Sequence, residues 1–115
     1  MSTIESVCKK IESLIEDGKG VDLVTIDMLG KSTIADYMLV VSGNSSRHVS
    51  SLSQNIMEGM AKVGNRAHAI EGLTLGDWVL IDFGDVIVHV FRPEIREHYA
   101  LEKMWGDLLS KAPTV

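Results

Sequence analysis

Two apolar runs, residues 78–83 and 86–91, face each other across Gly84-Asp85, and no other stretch restricts the fold as much. A glycine at the first central position of a two-residue connection suits a type II′ turn, whose twist matches that of paired antiparallel strands. The register then follows: Phe83 opposes Val86, and every pair outward is fixed. Side chains alternate between the faces of a sheet, so one face carries Val79, Ile81, Phe83, Val86, Val88 and Val90. All six are apolar, and that face requires a second layer to cover it. The opposite face carries Trp78, Leu80, Asp82, Ile87, His89 and Phe91, a mixture of large aromatics, aliphatics and two ionisable groups.

The cover is found in the first two thirds of the chain. Ile4, Val7, Ile11, Leu14 and Ile15 recur at helical spacing and predict a helix over 3–17, with Ser2 and Glu5 as a capping box and Gly18 and Gly20 as the stop. A strand is expected at 21–28, where Val24, Ile26 and Met28 alternate with Leu23, Thr25 and Asp27. The next, 37–42, is apolar on every residue up to Val41, the pattern of a strand in the sheet centre with both faces covered. Asn44 or Ser45 caps a second helix whose stripe is Val49, Leu52, Ile56, Met60 and Val63, and Gly64 closes it. A short strand at 66–71 follows. Strand, helix, strand in this order predicts a right-handed crossover with parallel pairing. Pro93 suits the first turn of a last helix, with Ile95, Tyr99 and Leu101 or Glu102 on its inward or partner-facing side and Trp105 near its end. The expectation is one α/β domain over 1–105, a mixed sheet of five strands with helices packed on it, and a poorly ordered tail at 106–115.

Charge and cysteine usage narrow the functional classes. The net charge is −5 and no Lys/Arg run occurs, so a basic face for phosphate neutralisation is missing and nucleic-acid binding is not expected. An acidic surface suits a basic protein partner, though many soluble proteins have one without such a partner. Cys8 is the only cysteine and fits a reducing compartment. No run approaches membrane-spanning length and the N-terminus has no apolar signal core. A cytoplasmic protein is expected.

Motifs suggestive of chemistry do not hold together. Gly30-Lys31-Ser32 echoes the end of a phosphate-binding loop, but Thr25 stands where the first glycine is required and a strand, not a helix, follows. Asp82-Phe83-Gly84 is a hairpin end without the rest of a kinase set. Asp77, Asp82 and Asp85 gather around the hairpin near His89, yet their register gives no convergence, and solvated turn aspartates account for them. The four histidines show no ligand spacing and no serine sits in a nucleophile elbow. No catalytic residue, metal or cofactor is expected. Two features call for more than packing or capping. Trp78, Tyr99 and Trp105 are large aromatics with a polar handle, favoured as interface anchors and equally able to pack on the sheet. Residues 43–48 place serines and Arg47 at a helix N-terminus, where a cap or a carboxylate site is possible.

Several blocks, in order, resemble the ribosomal silencing factor (Iojap-like) family. They are Ala35-Asp36-Tyr37, residues 41–49 (VSGNSSRHV), Glu71-Gly72-Leu73, residues 76–91 (GDWVLIDFGDVIVHVF), and Pro93-Glu94-Ile95-Arg96 with Tyr99, Leu101-Glu102 and Trp105. Met38 departs from a position where an aromatic is common. The resemblance implies a mixed sheet with helices on its faces, related in shape to nucleotidyltransferases. It implies binding to the large ribosomal subunit through its fourteenth protein, at the edge of the inter-subunit face. The bound factor would keep the small subunit from joining and lower translation when nutrients are scarce. Some members form homodimers. The catalytic pattern of nucleotidyltransferases is absent here: Asn44 follows Gly43 and no Asp-x-Asp occurs. A degenerate nucleotide-binding protein and a pure dimerisation module stand as alternatives. The mixed sheet face and the family blocks together nominate Trp78, Tyr99, Leu101 and Trp105 as anchors, with Arg47, Asp82, Arg96 and Glu102 giving polar registration.

Overall fold

The computed structural model describes residues 3–30 and 35–95. Within them lie α1 (Ile4–Asp17), β1 (Val21–Asp27), β2 (Tyr37–Ser42), α2 (Ser46–Lys62), β3 (Ala69–Glu71), β4 (Trp78–Asp82) and β5 (Val86–Phe91). The strands form one mixed sheet in the order β1-β2-β5-β4-β3. The expected fold class is the observed one. The last helix beyond residue 95, and with it Arg96, Tyr99, Leu101, Glu102, Trp105 and the tail 106–115, lies outside the described residues.

The hairpin register is the one the alternation dictates. Ile81 opposes Val88, Val79 opposes Val90 and Trp78 opposes Phe91. The Phe83 N–H donates to the Val86 carbonyl at 2.9 Å, and Gly84 sits at φ +94°, where a side chain is disfavoured. Val79, Ile81, Val86, Val88 and Val90 are buried in the main core with Leu39 and Val41 of β2. Against them pack Cys8, Ile11 and Ile15 of α1 and Val49, Leu52, Ile56 and Met60 of α2. Both helices therefore cover one face of the sheet. The other face holds a smaller cluster of Met28, Met38, Val40 and Phe91, with Ile26, Trp78 and Ile95 against it. β2 feeds both clusters by alternation, which is why it reads as apolar throughout.

Three expectations are corrected. β2 pairs in parallel with β5, not with the strand that follows α2. That strand, only Ala69–Glu71, pairs antiparallel with β4 at the sheet edge. It runs in the crossover's direction, since two antiparallel steps separate it from β5, but β4 and β5 are inserted between. The hairpin strands carry the apolar load and take interior positions, whereas a three-residue strand with exposed ends is tolerable at an edge. Second, Thr3 is the N-cap of α1, its hydroxyl accepting from the Ser6 N–H at 3.0 Å; Ser2 lies outside the described residues. Third, Val63 does not belong to the α2 stripe. It is the C-cap and is half exposed, because the chain leaves the helix there. The Gly64 N–H donates to Ala61 and the Asn65 N–H to Met60, closing the helix end as a Schellman motif around Gly64 at φ +84°.

Candidate protein-binding face

Trp78 sits at the start of β4 on the face away from both helices, partly exposed. Phe91 and His89 hold it among the described residues. Directly opposite, Phe91 stacks on the indole with centroids 5.0 Å apart and planes at 26°. One step back along β5, His89 accepts the indole N–H at Nδ1, 3.0 Å away. The His89 ring in turn lies 5.8 Å from Phe91, at 25°. Phe91 is completely buried and His89 is 6% exposed. Burial among apolar groups pushes the His89 pKa down to about 4, because the imidazolium would have to be stripped of water. The ring is neutral at pH 7, and with Nδ1 accepting, the proton resides on Nε2.

The same corner of the sheet is fastened from below by the loop between β3 and β4. Gly72 is at φ +83°, and a Cβ there would fall 2.0 Å from the Trp78 carbonyl oxygen. Gly76, at φ +68°, lies against α2, where a Cβ would come within 2.5 Å of the Ser46 carbonyl. Ser50 donates its hydroxyl to the Leu73 carbonyl at 2.9 Å. Asp77 reaches Arg92 across the strand ends, Oδ1 to Nε 2.9 Å, while the Arg92 N–H donates to the Asp77 carbonyl at 3.1 Å. Glu94 adds a second carboxylate 3.4 Å from Arg92. Ser45 caps α2 by accepting from the His48 N–H at 3.1 Å. His48 accepts the Asn44 N–H at Nδ1, and its Nε2 donates to the Gly18 carbonyl, each at 2.8 Å, joining the start of α2 to the end of α1.

Of the eight nominated residues, three can be placed. Trp78 faces away from the helices, whereas Arg47 belongs to the helix layer, the two being linked through the β3–β4 loop that touches Ser46. Arg47 is exposed in the first turn of α2. Asp82 is at the far end of β4, about 13 Å from Trp78 at the usual rise of a strand. Its Oδ1 accepts the Gly84 N–H at 2.7 Å, so one carboxylate oxygen is committed to the turn. The sequence reading missed His89 as the partner of the indole and Arg92 as the partner of Asp77. The first was accessible: once the hairpin register is fixed, residues 78 and 89 are diagonal neighbours on one face. Among the described residues, no three His, Cys, Asp or Glu side chains are grouped so as to hold a metal ion. A groove of about 420 Å³ between the end of α2 and β3, lined by Met57, Ala61, Arg66 and Ile70, opens on the helix side, away from Trp78. No helix among the described residues is long and apolar enough to cross a membrane.

The corner thus presents a braced aromatic with polar groups around it. The family model described as "Ribosomal silencing factor during starvation" matches residues 1–115. The chain belongs to the ribosomal silencing factor family. The ribosomal silencing factor of Zymomonas mobilis is 43% identical over 102 residues, which are 89% of this chain and 77% of that one. The Bacillus subtilis ribosomal silencing factor is 38% identical, covering 90% of this chain and 87% of its own. More distant is the mouse protein named for mitochondrial assembly of the ribosomal large subunit, 31% identical over 81% of this chain and 42% of its length. A crystal structure from Chromobacterium violaceum superposes with a TM-score of 0.88 at 34% identity, covering 90% of this chain and 87% of that one. The sequence likeness and the shared fold thus point to the same family.

Proposed function

We propose that this ribosomal silencing factor docks on the large ribosomal subunit through the Trp78 side of its sheet and, seated there, keeps the small subunit from joining. The observation that carries the choice of face is the partly exposed indole of Trp78, held by Phe91 and His89 on the sheet face that carries no helix among the described residues. Family membership and the mouse relative's name support the ribosomal partner. The contact we assign is the fourteenth protein of the large subunit. Tyr99, Leu101 and Trp105 complete the anchor set, and Arg47, Asp82, Arg96 and Glu102 give register. Repression would matter most in starvation, in keeping with the family description.

The mechanism is steric. A body with a radius of gyration of 13.5 Å overlaps an approaching particle by far more than close packing tolerates. A standard interface of about 800 Å² per partner is sufficient for tight binding when its anchors are good. Sedimentation with purified large subunits, followed by addition of small subunits, tests both steps. Trp78→Ala is expected to weaken binding by more than ~1.5 kcal/mol with the fold intact. Wild-type affinity in that variant removes Trp78 from the site. Undiminished joining while the protein is seated on the large subunit refutes the mechanism.

A further inference from the structure

β5 reads Val-Ile-Val-His-Val-Phe, and its histidine is the anomaly. It occupies an interior strand, flanked by Val40 of β2 and Leu80 of β4, and is 6% exposed. A leucine or phenylalanine would fill such a place without the cost of burying a polar ring. The contact an apolar residue could not make is the one to Trp78, whose indole N–H donates to Nδ1. The stack on Phe91 fixes the plane of the indole, and the bond to His89 fixes its rotation within that plane.

We infer that His89 is a positioning residue: it holds the Trp78 indole in one orientation, pre-set for the protein surface that docks on this face. The inference rests on the proposed function and adds a specific device to it. An anchor already in its bound rotamer loses less conformational freedom on association, and its N–H, already bonded, needs no new partner. His89 touches neither the solvent-facing side of the anchor nor the ligand; it acts through Trp78. Its neutral state at physiological pH keeps the Nδ1 lone pair available for the bond.

The test uses the full chain and three substitutions. His89→Leu removes the acceptor. His89→Asn keeps one close to the Nδ1 position, and His89→Gln moves it toward the Nε2 position. Three quantities are read in each: the Nε1–H resonance of Trp78, assigned by its loss in Trp78→Phe; the Kd for purified large subunits; and the thermal midpoint. In His89→Leu the indole proton should shift upfield and exchange faster, and binding should weaken about three- to tenfold, the scale of one freed side chain. His89→Asn should restore both, whatever its thermal midpoint, and His89→Gln should not. If His89→Leu does not fold, the Asn–Gln contrast makes the same comparison. Weak binding in Trp78→Ala with wild-type affinity in His89→Leu, or in His89→Gln where that variant stands in, overturns this inference alone. Wild-type affinity in both overturns the reading of the face. Losses that track the thermal midpoint equally in Leu, Asn and Gln reduce His89 to a packing residue and overturn the inference.

Discussion

Lowering the pH should unfold this protein earlier than its carboxylates alone would dictate, and His89 is the reason. Its pKa in the folded chain is about 4, against 6.5 for an unhindered histidine. The cause is burial, which penalises the charged form. Between these two values the unfolded chain binds a proton there that the folded chain does not, so stability falls as pH falls. The contribution is fully present above pH 6.5 and is lost progressively down to pH 4, below which the curve flattens for this group. Over the accessible part of that window, pH 7 to pH 5, linkage gives a loss of about 2 kcal/mol. The whole shift corresponds to about 3 kcal/mol, at about 1.4 kcal/mol per pKa unit. Urea unfolding followed by circular dichroism at pH 7, 6 and 5 measures it. Because other groups titrate too, the decisive quantity is the difference between wild type and His89→Asn, whose side chain does not ionise. The wild-type curve should fall more steeply by about 2 kcal/mol over this range. If the two curves stay parallel, His89 is not buried in its neutral form and the account of the Trp78 corner is wrong.

Further outcomes follow from packing and backbone geometry. Gly72→Ala should cost well over ~2 kcal/mol, because its Cβ would collide with the Trp78 carbonyl at a positive φ, while Gly64→Ala, with open space around it, should cost only about 1 kcal/mol for its backbone conformation. Thermal melts of the two variants compare them directly. Ile56→Ala, at a position with no exposure between α2 and the sheet, should lose about 2–5 kcal/mol in urea unfolding. Cys8 should resist iodoacetamide at pH 8 until the protein is denatured, since burial, reinforced by Glu12, raises its thiol to about 11; fast native-state labelling would contradict its placement.

Local periodicity accounted for most of the secondary structure, although Val63, counted into the α2 stripe by its spacing, is the half-exposed C-cap. The hairpin register, the six-residue apolar face, both helices with their glycine stops and the two-sided burial of β2 were all readable, because each depends on alternation or helical spacing within a short window. Trp78 as an outward-facing aromatic was readable for the same reason. What the sequence could not decide was adjacency between distant segments. Strand–helix–strand order suggested that β3 lies beside β2. Only the assembled sheet shows β5 there and β3 at the edge, a choice made by which strands carry enough apolar surface to be buried on both sides. Likewise Asp77 with Arg92, and His48 with the Gly18 carbonyl, come together only once the sheet has brought strand ends and helix ends to one corner. Periodicity reports which way a side chain points. Which partner waits there is settled by the packing of elements far apart in the chain.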